Sequence, residues 1–141
     1  MLLGAAACAG DGTGLDPCGN PIGTAPCGSD DSVRLSASVQ PIFDQNCAFA
    51  GCHAAPQPAQ GMNLSRGQSF ASIVDVPSVE LPSMRRVRPF QPDSSYLVHK
   101  LQGTHLDVGG QGERMPLGRG PLTPEQIGLI RSWISQGARN N

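Results

Sequence analysis

Two cysteines and a histidine lie close together near position 50 of the chain. The segment reads Cys47-Ala-Phe-Ala-Gly-Cys52-His53, so the second thiol and the imidazole are adjacent. Thiols and an imidazole in this order can form thioethers to the two vinyl groups of haem, with the histidine held under the iron as proximal ligand. The spacing is C-x4-C-H, whereas C-x2-C-H is the common pattern. We expect the extra residues to bulge tightly, since Gly51 can adopt positive φ.

Two other chemistries are open to a cysteine pair beside a histidine. A zinc site would need four ligands, but neither a second cysteine pair nor an H-x3–5-H pair lies downstream. His99 and His105 have no cysteine near them. The second alternative is a disulfide between Cys47 and Cys52, which would belong to a colourless binding protein. We expect haem attachment.

A methionine is the expected distal ligand of such an iron. Met115 lies in the glycine-rich stretch 103–122, which we expect to be a loop. Pro116 restricts the backbone of Met115 to extended conformations, which helps to aim its side chain. A thioether favours ferrous iron and raises the reduction potential relative to bis-histidine ligation.

Four other side chains could compete for the distal position. His99 or His105 would give bis-histidine iron; we expect His99 to be exposed on a helix and His105 to lie in a mobile loop. Met62 follows the proximal histidine by only nine residues, so we expect it to stay on the proximal side of the haem. Met84 stands beside a cluster of arginines and is a poor second choice.

Arginines are the residues expected to bind the two propionates of a haem, because they form bidentate, charge-assisted bonds with carboxylates. The candidates are Arg114 and the basic cluster Arg85, Arg86 and Arg88, from which we select Arg88. A solvated positive patch is the alternative for any one of them. No paired carboxylates suggest acid–base catalysis, so we do not expect an enzyme.

The composition narrows the class of protein. The chain has 141 residues with ten basic and eleven acidic side chains, so its net charge is −1 and no basic stripe suggests a nucleic-acid partner. With 18 glycines, 13 prolines and few aromatic residues, it has little with which to build a core. A buried haem would supply apolar surface. The sequence contains no stretch of 18 or more apolar residues, so we do not predict a transmembrane helix.

Residues 1–32 differ from the rest and are expected to form a flexible tether. The small residues leading to Cys8 are typical of the end of a bacterial lipoprotein signal, which would anchor the chain to a membrane; an ordinary flexible terminus is the alternative. Cys18 and Cys27 each stand in a Pro-Cys-Gly turn. We favour a disulfide between them, stable in an oxidising compartment, over free thiols or a pair that involves Cys8.

Two helices are expected to frame the haem domain, residues 33–141. The first begins with Ser38 as N-cap, buries Val39, Ile42 and Phe43, and delivers Cys47 at its end. The last begins with the capping box Thr123-Pro124-Glu125-Gln126 and ends at Gly137. Its buried stripe contains Ile127, Ile130, Trp133 and Ile134.

Two short helices are expected between them. Ser65-Arg66-Gly67-Gln68 forms a weak capping box ahead of Phe70, Ile73 and Val74. Asp93 or Ser94 starts the second of these helices, whose apolar face is Leu97, Val98 and Leu101 and whose stop is Gly103.

With these elements the stretch 37–138 resembles class I cytochromes c, specifically the single-haem domains of bacterial extracytoplasmic proteins. The resemblance is carried by the Cys47–His53 motif, Phe43, Arg114-Met115-Pro116, the segment Pro92–Leu97 and the closing segment 122–138. It implies an all-α fold of three to five short helices around one covalent haem c. The first and last helices would cross, with Phe43 and Trp133 near their contact.

The resemblance implies a function as well. The chain would be a monohaem electron carrier outside the bacterial cytoplasm, periplasmic or on the outer surface, with His53 and Met115 as axial ligands. Its partners would be redox proteins that donate and accept electrons. The rival hypothesis is a haem enzyme or gas sensor, such as a peroxidase, in which the distal position is open or labile.

Overall fold

Four short α-helices separated by long loops make up the computed structural model, which describes residues 32–141. They are α1 (Gln40–Asn46), α2 (Ser69–Ile73), α3 (Tyr96–Gln102) and α4 (Pro124–Ser135). Within the described residues the only β-pairing consists of isolated bridges, so the all-α prediction is confirmed for that part. None of the helices found there is long and apolar enough to cross a membrane. The predictions for Cys8, Cys18 and Cys27 lie outside the described residues.

The first helix begins earlier than predicted. A π-helical turn, Leu35–Val39, runs directly into α1. Pro41 has no N–H, and its ring would clash with the carbonyl four residues earlier in a regular α-helix, so a widened turn ahead of it relieves the clash. No side chain caps either segment, so the prediction of Ser38 as N-cap is wrong. The predicted apolar face is buried, and α1 ends at Cys47 as predicted.

Helix α4 follows its sequence signals closely. The hydroxyl of Thr123 accepts a hydrogen bond from the N–H of Gln126 at 3.2 Å, and the Gln126 side chain accepts one from the Thr123 N–H at 3.0 Å. Three members of the predicted stripe are fully buried, namely Ile130, Trp133 and Ile134, and Ile127 is partly buried. The helix ends at Ser135, just before Gly137 with φ of 102°. The predicted capping box is confirmed.

The two middle helices form where predicted but lack their predicted caps. The carbonyl of Ser65 accepts hydrogen bonds from the backbone N–H groups of Gln68 and Ser69, and no side chain caps α2. A 3-10 turn, Pro92–Ser94, precedes α3, so Ser95 takes the N-cap position instead of Asp93 or Ser94. The Ser95 hydroxyl donates to the carbonyl of Gln91 at 2.9 Å. Helix α3 ends at Gly103, whose φ of 79° confirms the predicted stop.

The apolar core connects the two ends of the described chain. The turn Leu35–Val39 and helix α3 both pack against α4. Phe43 and Trp133 are both fully buried in this one core, but α4 packs mainly against the turn Leu35–Val39 and α3, so the expected crossing of the first and last helices stays a prediction. The indole N–H of Trp133 donates to the carbonyl of Arg139 at 2.9 Å, so its polar atom is satisfied inside the fold. The core therefore fixes the end of α1, from which the Cys47–His53 segment leaves.

Candidate functional site

The Cys47–His53 segment is a closed turn at the end of α1. The N–H of His53 donates to the carbonyl of Cys47 at 3.2 Å, and the N–H of Cys52 donates to the carbonyl of Phe49 at 2.9 Å. Gly51 has φ of 80°, a left-handed conformation that glycine adopts without strain, as predicted. The longer spacer is therefore accommodated as a compact bulge that keeps both thiols beside the imidazole.

The two cysteines are free thiols in different environments. Cys47 is buried and Cys52 is exposed. Burial raises the pKa of the Cys47 thiol to about 11, with a further contribution from Cys52 and an opposing one from Arg119. At neutral pH Cys47 is thus a protonated thiol rather than a thiolate poised for a metal ion. Within residues 32–141 no group of three or more His, Cys, Asp and Glu side chains is arranged to hold a metal ion.

The imidazole of His53 is buried and oriented by the backbone. Its Nδ1 lies 3.2 Å from the carbonyl oxygen of Met62. A carbonyl can only accept, so Nδ1 carries the hydrogen and Nε2 keeps its lone pair. Burial is the main cause that lowers the pKa of His53, and the carbonyls of Met62 and Ala59 oppose it. The ring is therefore neutral at pH 7, with one nitrogen prepared to bind a metal and the other held in place.

One cavity brings the predicted ligands together. A space of about 120 Å³ is lined by Cys47, Cys52, His53 and Met115, together with apolar side chains that include Leu101. A smaller cavity of about 60 Å³ is also bordered by His53 and Met115. The two candidate axial ligands therefore border both spaces, although they stand far apart in the sequence.

Met115 reaches this cavity from the loop that follows α3. Its backbone N–H donates to the carbonyl of Lys100 at 3.0 Å, and its side chain packs partly buried against the core. Met62 lines the cavities as well. Its backbone carbonyl accepts the hydrogen bond from Nδ1 of His53, which places Met62 beside the candidate proximal ligand. Met84 lies at a separate polar depression. Of the three methionines considered, Met62 and Met115 line both cavities and Met84 lines neither.

The arginines selected from the sequence are not brought to either cavity. Arg114 is exposed, and its Nε donates to the carbonyl of Leu101 at 3.1 Å, one of the carbonyls that the end of α3 leaves without a helical partner. Arg88 is exposed and lines the separate depression with Asp75 and Asp93. The arginine that does line the smaller cavity is Arg86. The assignment of Arg88 and Arg114 to the propionates therefore stays a prediction.

Neither alternative histidine borders the cavities. Both ring nitrogens of His99 are engaged, Nδ1 with the hydroxyl of Thr104 at 2.8 Å and Nε2 with the carbonyl of Asp93 at 2.9 Å. His105 lies in the loop after α3, as predicted, but it is buried there, and its Nε2 lies 2.8 Å from the carbonyl of Gly112. The structure therefore gives both histidines local roles away from Met115.

A buried ion pair forms the polar wall of the smaller cavity and was not predicted. The ammonium of Lys100 lies 2.8 Å from a carboxylate oxygen of Glu80; the Lys100 side chain is buried at 8% exposure, and that of Glu80 is partly buried at 15%. The hydroxyl of Tyr96 donates to the same carboxylate at 2.9 Å. Tyr96 and Lys100 share a helix face by their i, i+4 spacing, which the sequence does show. Nothing local in the sequence identifies Glu80 as their partner.

An aromatic contact on the rim of the larger cavity was also missed. The guanidinium of Arg119 lies 4.2 Å from the ring centre of Phe49, within the range of a cation–π interaction. Phe49 belongs to the spacer between the two cysteines, while Arg119 follows Met115 in the opposite loop. The contact therefore joins the two loops that carry the candidate ligands.

Comparison with protein-family models, with curated proteins and with solved structures finds no match to this chain.

Proposed function

We propose that the chain is a monohaem c-type cytochrome that carries electrons outside the bacterial cytoplasm. In this proposal residues 33–141 are a cytochrome c-like domain. The observation that carries it is that two thiols, an imidazole and a thioether line one cavity, supplied by Cys47, Cys52, His53 and Met115. These are the groups needed for covalent attachment and for two axial ligands.

The donor set fits a haem. Cys47 and Cys52 would form the two thioethers, and His53 would bind through Nε2 while its Nδ1–H stays on the Met62 carbonyl. The thioether of Met115 would fill the remaining axial position. When bound, the haem supplies an iron that alternates between the ferric and ferrous states by gaining or losing one electron.

The side chains of the site would hold geometry rather than transform a substrate. His53 and Met115 would both hold the iron, which would leave it closed to a substrate and would separate a carrier from a peroxidase or gas sensor. The carboxylate of Glu80, which lines the smaller cavity, is occupied by Lys100 and Tyr96 and is not free to act as a base. The work of the protein is then to set the potential through ligands, burial and hydrogen bonds.

The setting of this carrier is part of the proposal. Redox proteins would donate and accept the electron, and residues 1–32 would tether the domain to a bacterial membrane through a lipidated Cys8. A disulfide between Cys18 and Cys27 would suit an oxidising, extracytoplasmic compartment. The net charge of −1 is consistent with the absence of a nucleic-acid partner.

The test is an optical spectrum of protein expressed with a c-type haem maturation system, recorded oxidised and reduced, before and after denaturation. We expect haem to stay on the chain after denaturation and the oxidised protein to show the low-spin thioether–iron charge-transfer band. Bound haem without that band would point to a histidine or an open distal site, the enzyme or sensor alternative. Absence of covalent haem would overturn the proposal and return Cys47 and Cys52 to a disulfide.

A further inference from the structure

Arg86 places a positive charge on the wall of the cavity that His53 and Met115 share. The residue is only 8% exposed. Within the described part of the chain, the ion pairs involve other cations, so no carboxylate there lies within 4.0 Å of its guanidinium. A guanidinium keeps its proton at all ordinary pH values, so the charge is permanent.

The guanidinium of Arg86 donates hydrogen bonds to two backbone carbonyls. Its Nη1 donates to the carbonyl of Ser72 in α2 at 2.7 Å, and its Nη2 donates to the carbonyl of Gln60 at 2.6 Å. Gln60 lies in the 3-10 turn Ala59–Gly61 with φ of 57°, a left-handed conformation that is costly for a residue other than glycine. Arg86 therefore ties a strained turn to a helix.

That turn leads directly to the group that orients His53. The N–H of Met62 donates to the carbonyl of Ala59 at 3.1 Å, across the same turn, and the Met62 carbonyl accepts from Nδ1 of His53. The path from Arg86 to the imidazole therefore passes through one hydrogen-bonded turn. Loss of the guanidinium would free the Gln60 carbonyl and loosen the acceptor that fixes the ring.

We propose that Arg86 is a positioning residue for His53 and that its buried charge raises the reduction potential of the iron bound there. This inference rests on the proposed function. Reduction adds one electron, supplied by a redox partner or a chemical reductant, and neither makes nor breaks a bond. A nearby positive charge disfavours the ferric state, which carries one more positive charge than the ferrous state. Burial strengthens this effect because the surroundings screen it less than water does.

The other charges beside this cavity do not cancel that effect. Glu80 and Lys100 form a pair at 2.8 Å, so their fields largely offset each other at a distance. Arg85, the neighbour of Arg86, points to the exposed surface, where it pairs with Asp75. Removal of the Arg86 charge should consequently be felt at the iron far more than removal of the Arg85 charge.

The experiment is a redox titration of the haem-loaded protein, followed by its visible spectrum, for the wild type, Arg86→Gln, Arg86→Lys and Arg85→Gln. The charge-transfer band of the thioether–iron bond shows in each variant whether the axial ligands are unchanged. We expect Arg86→Gln to shift the ferric/ferrous equilibrium about tenfold towards ferric, a decrease of about 59 mV. Arg86→Lys, which keeps the charge, should stay within about twofold of wild type, as should Arg85→Gln.

Hydrogen exchange of the Gly61 and Met62 amides tests the positioning role separately. Lysine cannot reproduce the planar fork, so Arg86→Lys should exchange these two amides faster than wild type while its potential is retained. If Arg86→Gln does not fold, the potential and the amide exchange of Arg86→Lys test the inference.

Two results would overturn the inference while leaving the proposed function intact. One is an Arg86→Gln potential no lower than that of Arg85→Gln. The other is an Arg86→Lys variant with a lowered potential or with unchanged exchange at both amides. A wild-type protein without covalent haem overturns the proposed function itself, and it is recognised before any variant is made.

Discussion

The backbone N–H of Met115 donates a hydrogen bond of 3.0 Å to the carbonyl oxygen of Lys100, in the last turn of α3. Helix α3 also supplies Leu97 and Leu101 to the wall of the larger cavity. The loop that carries the candidate distal ligand is therefore fastened to a helix that already borders the site. This fastening explains how a methionine in a glycine-rich stretch keeps a defined position.

Met115→Ala should convert a low-spin, six-coordinate haem into one that binds added ligands such as cyanide or imidazole. It should also lower the reduction potential, because a soft thioether that favours ferrous iron is lost. Visible spectra and a redox titration measure both effects. Met84→Ala is the matched control, since Met84 lies at a separate depression. A Met115→Ala spectrum and potential equal to wild type would show that Met115 is not the ligand.

Breaking the Glu80–Lys100 pair from one side should be strongly destabilising. Because Lys100 is buried and Glu80 is only 15% exposed, Glu80→Leu or Lys100→Met leaves a largely buried charge without its partner, at a cost of about 3–5 kcal/mol in the free energy of unfolding. The double variant should recover most of that loss. Urea unfolding of all four proteins gives the coupling energy.

An exposed ion pair provides the comparison for this cycle. Arg131 and Asp93 lie 2.7 Å apart, but the Asp93 side chain is 84% exposed. Arg131→Ala should therefore cost less than about 1 kcal/mol. If the Glu80 and Lys100 single variants cost no more than this one, the pair is not buried in solution.

Two glycine-to-alanine changes should affect stability in opposite directions. A Cβ at Gly110 would lie 2.4 Å from the Tyr96 hydroxyl oxygen and 2.6 Å from the His105 carbonyl, so Gly110→Ala forces a rearrangement and destabilises the fold. A Cβ at Gly128, inside α4, meets nothing within 4 Å. Gly128→Ala should stabilise by about 0.5–1 kcal/mol because glycine is a poor helix former. Thermal unfolding compares the two; a Gly110→Ala protein as stable as wild type would contradict the packing around Gly110.

The two motif thiols should react at different rates in protein produced without haem. Cys52 is exposed, whereas Cys47 is buried with its pKa raised to about 11. The thiolate is the reactive form, so alkylation by iodoacetamide at pH 8 should reach Cys52 first. Because the range from pH 8 to 10 lies below the pKa of Cys47, the rate of alkylation of Cys47 should rise about tenfold for each pH unit in this range. Peptide mapping by mass spectrometry resolves the sites, and equal rates at pH 8 would refute the difference.

Short-range sequence patterns predicted the four helices, but of their predicted N-caps only that of α4 is confirmed. Thr123 and Gln126 lie within one turn, so the capping box of α4 depends only on neighbours and could be identified from the sequence. Ser38 and Ser65 have the right residue types, yet the backbone around them bonds differently. A serine side chain competes among several nearby backbone groups, and the choice depends on the packing of the whole segment.

The sequence indicates the candidate site where neighbouring residues define it, and indicates less where contacts between distant residues define it. The spacing of Cys47, Cys52 and His53 limits them to one turn, and Gly51 permits its conformation. For the arginines, sequence position does not distinguish Arg86 from Arg88. Only the fold shows that the first points to the cavity and the second to the surface.

The sequence by itself determined the four helices and the closeness of Cys47, Cys52 and His53, because each rests on residue type and short-range spacing. The tertiary structure decided which charges border the cavity, since Arg86 and Glu80 reach it through contacts with residues distant in the chain. Such contacts depend on how loops cross in space, and a burial cost favours any arrangement that pairs or hydrogen-bonds the charges. The residues next to Arg86 and Glu80 in the sequence therefore do not predict that these two charges border the cavity.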